Sequence, residues 1–541
     1  MTVVADRRQD SVGELAGTRH LVRVALRLDR WRTAIWAVAV AGLTQVSVSS
    51  LSQVYSSPEA LAGRAQLISS PAATALAGPG YGLDNYTIGA MTANELGLWI
   101  MIPVAILALL TVTRHLRAQE EDGRLELVRS APVGRDAPVV AGLVAAVVAT
   151  LAVGGLTFLA LLSTDLDPVG SLALTGGIVM VGLVFAGVSA VASQLTAHAR
   201  AATSLGMAVL GVAFLLRAVG DVRGPQSTSV LTWLSPFGWA QATRAYVDER
   251  FWPLAIGVVV AGALVAVAFR LVGRRDLGTG LVAERLGRPR ASARLTGMVA
   301  LTLRRQAGSI LAWGVAIVVM GAFIGLLAGE LVNFIADEPQ LAQIFPTGPN
   351  GAAASAFALY VVFLAVMAGA YAATGVGAAR SEEVAVRGAI VLAGPVSRAR
   401  WLGSQVGVAG VAAVVMMLVT GLLMGVMAAV SLGDQSFVGR LVGAAAVTLP
   451  AVGIILGVAV VVMAVAPRAF GVVWAYVTYV GVVGLFGPLL PDGSDVLSPF
   501  TYTPQLPAEA MDWPPVLALS VVAVALIGGG LAAFRRRDVL G

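Results

Sequence analysis

Three histidines, no cysteine and no lysine leave this 541-residue chain few groups for covalent or metal chemistry. Without cysteine there is no disulfide, no thiolate metal site and no thiol nucleophile. His20, His115 and His198 fall near the ends of separate predicted helices, so an imidazole-based metal cluster is not expected. All 36 basic residues are arginine. A phosphate-binding loop of the G-x-x-x-x-G-K-[ST] type needs its lysine, so this sequence holds none. What remains is charge, and it is concentrated. RAQEEDGRLELVRSAPVGR (117–135) and RSEEVAVRGAIVLAGPVSR (380–398) each lie between long apolar runs. Both open with Glu-Glu, carry an Arg and a Gly in the middle, and close on Pro-Val-x-Arg.

The elements that must position these islands are membrane spans. Only 12% of residues are charged and 57% are hydrophobic, where a soluble domain has about a quarter charged. A span needs about 20 apolar residues. Twelve runs meet that length, near 33–53, 94–113, 137–162, 169–194, 201–219 and 252–272, then 309–332, 355–378, 402–430, 438–465, 469–488 and 514–534. Open sheets are excluded in lipid, and the runs lack the alternation of barrel strands. The expected fold is all-α and polytopic, with twelve transmembrane helices. Thirty of the 36 arginines then fall on one side, which makes that side, both islands and both termini cytoplasmic in a plasma membrane. The net charge of +6 is therefore a topological signal, and no nucleic-acid partner is expected.

The repeat extends past the islands. LRLDRWRTAIWAVAV from Leu26 aligns with LRRQAGSILAWGVAI from Leu303, LSPF recurs at Leu234 and Leu497, and Arg274-Arg275-Asp276 recurs as Arg536-Arg537-Asp538. Six spans per unit make the halves parallel, related by a pseudo-twofold along the membrane normal. The expected division is a first six-helix half at 1–275, a cytoplasmic linker at 276–294 and a second half at 295–541. Leu21, Val24, Ala25, Leu28 and Trp31 form one stripe opposite Arg19, Arg23, Arg27 and Arg30. That pattern predicts an N-terminal helix lying along the headgroups before the chain turns into the membrane, in preference to simple arginine anchoring. A weaker counterpart is predicted over 292–306.

One charged loop alone reads as solvated charge. Two loops of one pattern, placed equivalently in two halves, suit the grip on a two-fold symmetric partner. Small apolar centres (Leu125, Leu127 and Val128; Val386, Ile390 and Val391) inside charged rims would supply an anchor and a register.

The pattern E-x-G-x-L-E-x-L-x-x-x-P-V-x-R between the second and third spans resembles the coupling-helix loop of ABC-2-type exporter permeases. The tandem twelve-span form is similar to actinobacterial polyketide-antibiotic and multidrug exporter permeases over essentially the whole chain. The resemblance rests on Glu121, Gly123, Leu125, Glu126, Leu127, Pro132, Val133 and Arg135, with Glu120 beside them. The second copy keeps Glu382, Glu383, Arg387, Gly388, Pro395 and Arg398 but has no counterpart of Glu126. The resemblance implies a permease that docks two copies of a separate cytoplasmic ABC ATPase, with ATP and magnesium on that partner and no cofactor in this chain. It also implies a pathway between the halves for lipophilic or amphipathic compounds leaving the cell. The second and fifth spans of each half would line it: Trp99, Met101 and Phe214 with Leu215, then Phe363, Met367, Tyr371, Trp474, Tyr476 and Tyr479. For each of these, lipid contact or helix packing is the simpler reading.

The alternative is a proton-coupled twelve-helix secondary drug transporter. Its G-x-x-x-D-R-x-G-R-R-like loop is missing after span two. Glu95, Arg217 and Glu330 approach span depth near external ends, where snorkelling explains them as well as function does. A polytopic membrane enzyme would need a catalytic constellation, and no HExxH or placed histidine supplies one. The external segments 54–93, 221–251 and 489–513 are read as short interfacial or re-entrant helices or as plain loops, the two readings standing level.

Overall fold

Backbone polar groups that enter hydrocarbon must be satisfied within their own segment. The computed structural model describes residues 13–69, 71–224, 228–275, 278–282, 290, 292, 295–329, 352–486, 493 and 495–537, and among them there are helices and no strand. Among the described residues eleven helical stretches, Ser436–Val465 counted as one, are long and apolar enough to cross a membrane, so the protein is a multi-pass membrane protein. The chain divides into two compact units, Met1–Gly287 and Arg288–Gly541.

Unit 1 contains α1 (Thr18–Val54), α2 (Pro58–Ile68), α3 (Pro71–Ala77), α4 (Ile88–Glu121), α5 (Arg124–Arg129), α6 (Ala137–Leu162), α7 (Pro168–Leu195), α8 (Ala199–Arg223), α9 (Val230–Trp233), α10 (Pro236–Gln241) and α11 (Trp252–Val272). Helix α1 packs along α6, and α7 lies against α4, α6 and α11. Helix α7 is the most enclosed because its small residues let neighbours approach closely. Its start is fixed by Asp167, whose carboxylate accepts the Gly170 N–H at 2.7 Å, with Pro168 in the first turn.

Unit 2 contains α12 (Met298–Leu326), α13 (Ala352–Val384), α14 (Arg387–Leu392), α15 (Arg398–Leu432), α16 (Ser436–Val447), α17 (Leu449–Val465), α18 (Gly471–Phe486) and α19 (Trp513–Arg536). Helix α12 runs alongside α15, α13 packs on α15 and α17, and α17 packs on α19. Gly325 permits the α12–α15 approach: a Cβ there would stand 2.2 Å from the Met424 carbonyl oxygen.

Two expectations change. Helix α1 is unbroken for 37 residues, about 55 Å at 1.5 Å per residue, and no turn separates an interfacial helix from a span. The sequence explains this, because no Gly or Pro interrupts 18–41. Its inward side is Ala25 and Asp29, while Val24, Leu28 and Trp31 of the predicted stripe are exposed. Helix α12 likewise enters its span without a break. Of the run 469–488 the described residues form α18, 16 residues and about 24 Å long, and 487–488 lie outside the described residues. The external segments divide between the two readings. Segments 54–93 and 221–251 form the short helices α2, α3, α9 and α10, whereas the described part of 489–513 is turns ahead of α19. Most of the linker 276–294 lies outside the described residues. Its piece 278–282 packs on the end of α7, with Leu281 and Val282 N–H groups donating to the Gln194 and Leu195 carbonyls at 3.2 and 3.0 Å.

Candidate functional site

A buried charge persists only where partners replace the water it loses. In unit 1 such charges gather where α4 ends. A π-type turn over Arg114–Ala118 turns His115, Leu116 and Arg117 inward. Arg117 donates to the Ser193 carbonyl at 2.9 Å and pairs with Glu120 at 3.1 Å. Glu120 in turn accepts two bonds from Arg275, at 2.6 and 2.8 Å, and the Gly278 N–H at 2.7 Å. Arg275 also reaches Gln194 Oε1 at 2.6 Å. The ends of α4 and α7 are thereby tied to the segment that follows α11. One turn earlier, Arg114 and His115 each meet Asp29 of α1 at 2.5 Å.

Unit 2 repeats the plan with different atoms. Glu383 pairs with Arg537, at the end of α19, and Arg537 also donates to the Met463 carbonyl at 2.5 Å. Glu382 pairs with Arg305 of α12 and with Arg387 at 3.2 Å. The closing arginine of each Pro-Val-x-Arg performs one task in both units. Arg135 donates to the Val272 carbonyl and Arg398 to the Arg537 carbonyl, at 2.6 Å for the latter. Each cation thus meets the carbonyl end of a helix, where the dipole favours it.

Glu120, Glu382 and Glu383, predicted to face a partner, are therefore buried inside their own units. Glu121 is occupied too: it accepts the Ala199 N–H at 2.9 Å and pairs with His198 at 3.3 Å. The sequence signal for this arrangement was present in the recurring Arg-Arg-Asp, which supplies Arg275 and Arg537 to the two islands.

What each island displays is a short helix. Leu125 is buried beneath α5, while Glu126 is exposed and Leu127 is 75% exposed. Helix α14 exposes Ile390 at 78%, and Val384 and Val386 precede it exposed. Pro132 and Pro395 are exposed where each short helix ends. Gly123 caps α5 at φ +72°. Its structural counterpart is not the expected Gly388, which is buried inside α14, but Val386 at φ +58°. Left-handed backbone costs a non-glycine residue about 1–2 kcal/mol. Val386→Gly is accordingly expected to raise the unfolding midpoint of the purified protein in detergent. Gly123→Val, with no atom within 4 Å of the added Cβ, is expected to lower stability by about 1–2 kcal/mol through the backbone alone.

Residues 295–535 match the family described as the C-terminal domain of multidrug efflux system permease Rv1217c. The chain is 36% identical over 532 residues, 97% of its length and 95% of the relative's, to multidrug efflux system permease protein Rv1217c of Mycobacterium tuberculosis (strain ATCC 25618 / H37Rv). The chain belongs to this multidrug efflux permease family.

In this permease the residues expected along a pathway have unequal surroundings. Met101 and Tyr371 are buried in the cores of their units. Phe214, Phe363, Met367 and Tyr476 are partly buried against those cores, and Trp99 and Trp474 are about half exposed. Phe214 lies under the Arg217 guanidinium at 4.9 Å, and the Tyr476 hydroxyl donates to the Leu497 carbonyl at 3.2 Å. The two ionisable leads among the described residues, Glu95 and Arg217, are ion-paired rather than snorkelling. Glu95 receives a two-pronged contact from Arg64, at 3.1 and 2.5 Å, and the Tyr86 hydroxyl at 3.3 Å. Burial, and then the Glu95 charge, push the Tyr86 phenol up, which keeps it a donor. Arg217 is fully buried, 3.6 Å from Asp221, and donates to the Thr74 and Ala75 carbonyls at 3.2 and 2.9 Å. Its role is to hold α3 against α8. Glu330 lies outside the described residues. Asp29 and Arg64 were not singled out from sequence, because pairing across helices leaves no local spacing to read; Asp221 stands four residues after Arg217 on α8, a spacing that could have pointed to it.

Proposed function

We propose that this permease is the membrane subunit of an ATP-driven exporter, moving lipophilic or amphipathic compounds out of the cell with two copies of a separate ABC ATPase. The observation that carries this reading is the pair of short helices, one per unit, each braced from within and each presenting one apolar side chain, Leu127 or Ile390, to solvent. An exposed apolar residue on a rigid charged loop serves as the buried anchor of an interface. The relative's multidrug efflux supports the substrate class. ATP and magnesium then belong to the partner, in keeping with a chain that has no lysine for a phosphate-binding loop. The reading places the islands and both termini in the cytoplasm, and it takes the two units as six-span repeats about a pseudo-twofold, with α18 as the eleventh span.

One observation favours proton coupling instead: the buried pair of Asp29 and His115, a carboxylate and an imidazole in contact where α1 meets the end of α4 beside the first island. A single experiment separates the two. The purified permease alone is expected to hydrolyse no ATP, and drug transport into inverted vesicles should require ATP with a co-purified ATPase and survive a protonophore. Transport that needs a pH gradient and no ATP would establish the alternative.

A further inference from the structure

We infer that Glu383, Arg537 and the ring pair Trp401–Phe534 position α19 through the short helix α14, so that α14 and the end of α19 move as one body. This rests on reading α14 as a docking element. Two routes connect the same two places. In the first, Glu383, at the end of α13 ahead of α14, holds Arg537 just past α19. In the second, Gly388 of α14 lies on Trp401: a Cβ on it would stand 3.4 Å from the Trp401 ring. Trp401 stacks on Phe534 of α19 at 5.9 Å between centroids. The Arg537 guanidinium then sits over Phe534 at 5.1 Å, which joins the routes.

All members of this circuit but Arg537, whose side chain is 16% exposed, are buried. Trp401 and Phe534 are 1% and 0% exposed, and Glu383 is 7% exposed. Arg398, which closes the island, adds a third tie by donating to the Arg537 carbonyl. A closed circuit of stacked rings and paired charges has little compliance, because packed interiors shift between discrete arrangements rather than deforming. A pull on Ile390 is therefore delivered to the α19 terminus, and through Arg537 to Met463 at the end of α17. Unit 1 has the equivalent charge tie, Glu120 to Arg275, but neither of its aromatic pairs among the described residues, Phe185–Phe237 and Trp233–Trp252, includes a residue of the island or of the end of α11.

The test uses the full-length permease, whose lack of cysteine makes site-specific labelling clean. Spin labels at Ala389→Cys and Arg536→Cys, both exposed, report the separation of the two ends, and efflux of a lipophilic cationic dye from intact cells reports transport. Arg537→Gln is expected to broaden the distance distribution and to cut efflux about tenfold at equal membrane abundance, a coupling of ordinary size. Retention of the ATPase should be unchanged. Among the described residues Glu383 meets Arg537 and no second cation, so the exchange Glu383→Arg with Arg537→Glu should narrow the distribution again and recover part of the efflux. Trp401→Phe, which keeps a stack, should lie near the parent, with Trp401→Leu near Arg537→Gln. An unaltered distance distribution in Arg537→Gln would overturn the inference. So would efflux that falls only in step with abundance. If the parent permease retains no ATPase, the docking reading fails while the distance measurement still decides whether α14 and α19 move together.

Discussion

Replacing Glu120 by alanine is expected to destabilise the permease by about 3–5 kcal/mol, the cost of stranding one side of a buried ion pair. The side chain is 4% exposed and stands between Arg117, which has no exposed side-chain area, and Arg275, at 11%. Its removal leaves two guanidinium groups facing each other and the Gly278 N–H without its acceptor. Arg117 can recover neither water nor a second anion, since its remaining partners are the carbonyls of Ser193 and Thr279. Glu120→Gln keeps an acceptor for Gly278 and Arg275 and should lose less. Glu126→Ala, six residues along on the exposed face of α5, is the control and should stay within about 0.5 kcal/mol of the parent. Unfolding midpoints in one detergent, with the yield of monodisperse protein, decide the matter. Equal midpoints for Glu120→Ala and Glu126→Ala would remove Glu120 from the brace.

The difference between those two glutamates marks how far the sequence could be read. Spans were legible because hydrocarbon demands long apolar runs: the run predicted at 137–162 is α6, Ala137–Leu162. The islands were legible as repeated charge between such runs. Which of their residues point outward was not. Glu120 and Glu121 are adjacent, and the π-type turn just before them sends one inward to Arg275 and leaves the other beside His198. Nothing local in Glu-Glu announces that turn. The second island shows the same limit. Its Gly388 was matched to Gly123, but the extra residue between Glu383 and Arg387 places the left-handed position at Val386. Arg275 and Arg537 lie more than 150 positions from their glutamates, so the recurrence of Arg-Arg-Asp was visible while its purpose required the fold.

This distinction also moves the site at which docking should fail. Reversing Glu382 and Glu383 would break internal pairs with Arg305 and Arg537, so it tests folding rather than partner contact. Glu126→Arg alone should weaken docking only severalfold, as a rim charge does. The decisive pair is Leu127→Asp with Ile390→Asp. Each side chain is more than 70% exposed, so neither substitution removes packing inside the permease, and unfolding midpoints should hold. If each seats in a pocket of one ATPase copy, full burial of a leucine or isoleucine is worth about 1.5–3 kcal/mol, and a carboxylate forced into that pocket costs more. Loss at both ends should reduce co-purified ATPase more than a hundredfold, since two such losses exceed the 2.7 kcal/mol that a hundredfold requires. Each single variant should retain the partner through the other island, at lower occupancy, because the two contacts act together through one tethered pair. The measurement is ATPase bound per permease, with drug-stimulated hydrolysis read alongside. If the double variant binds its ATPase as the parent does, the exposed side chains are ordinary surface residues and the anchoring role passes away from α5 and α14.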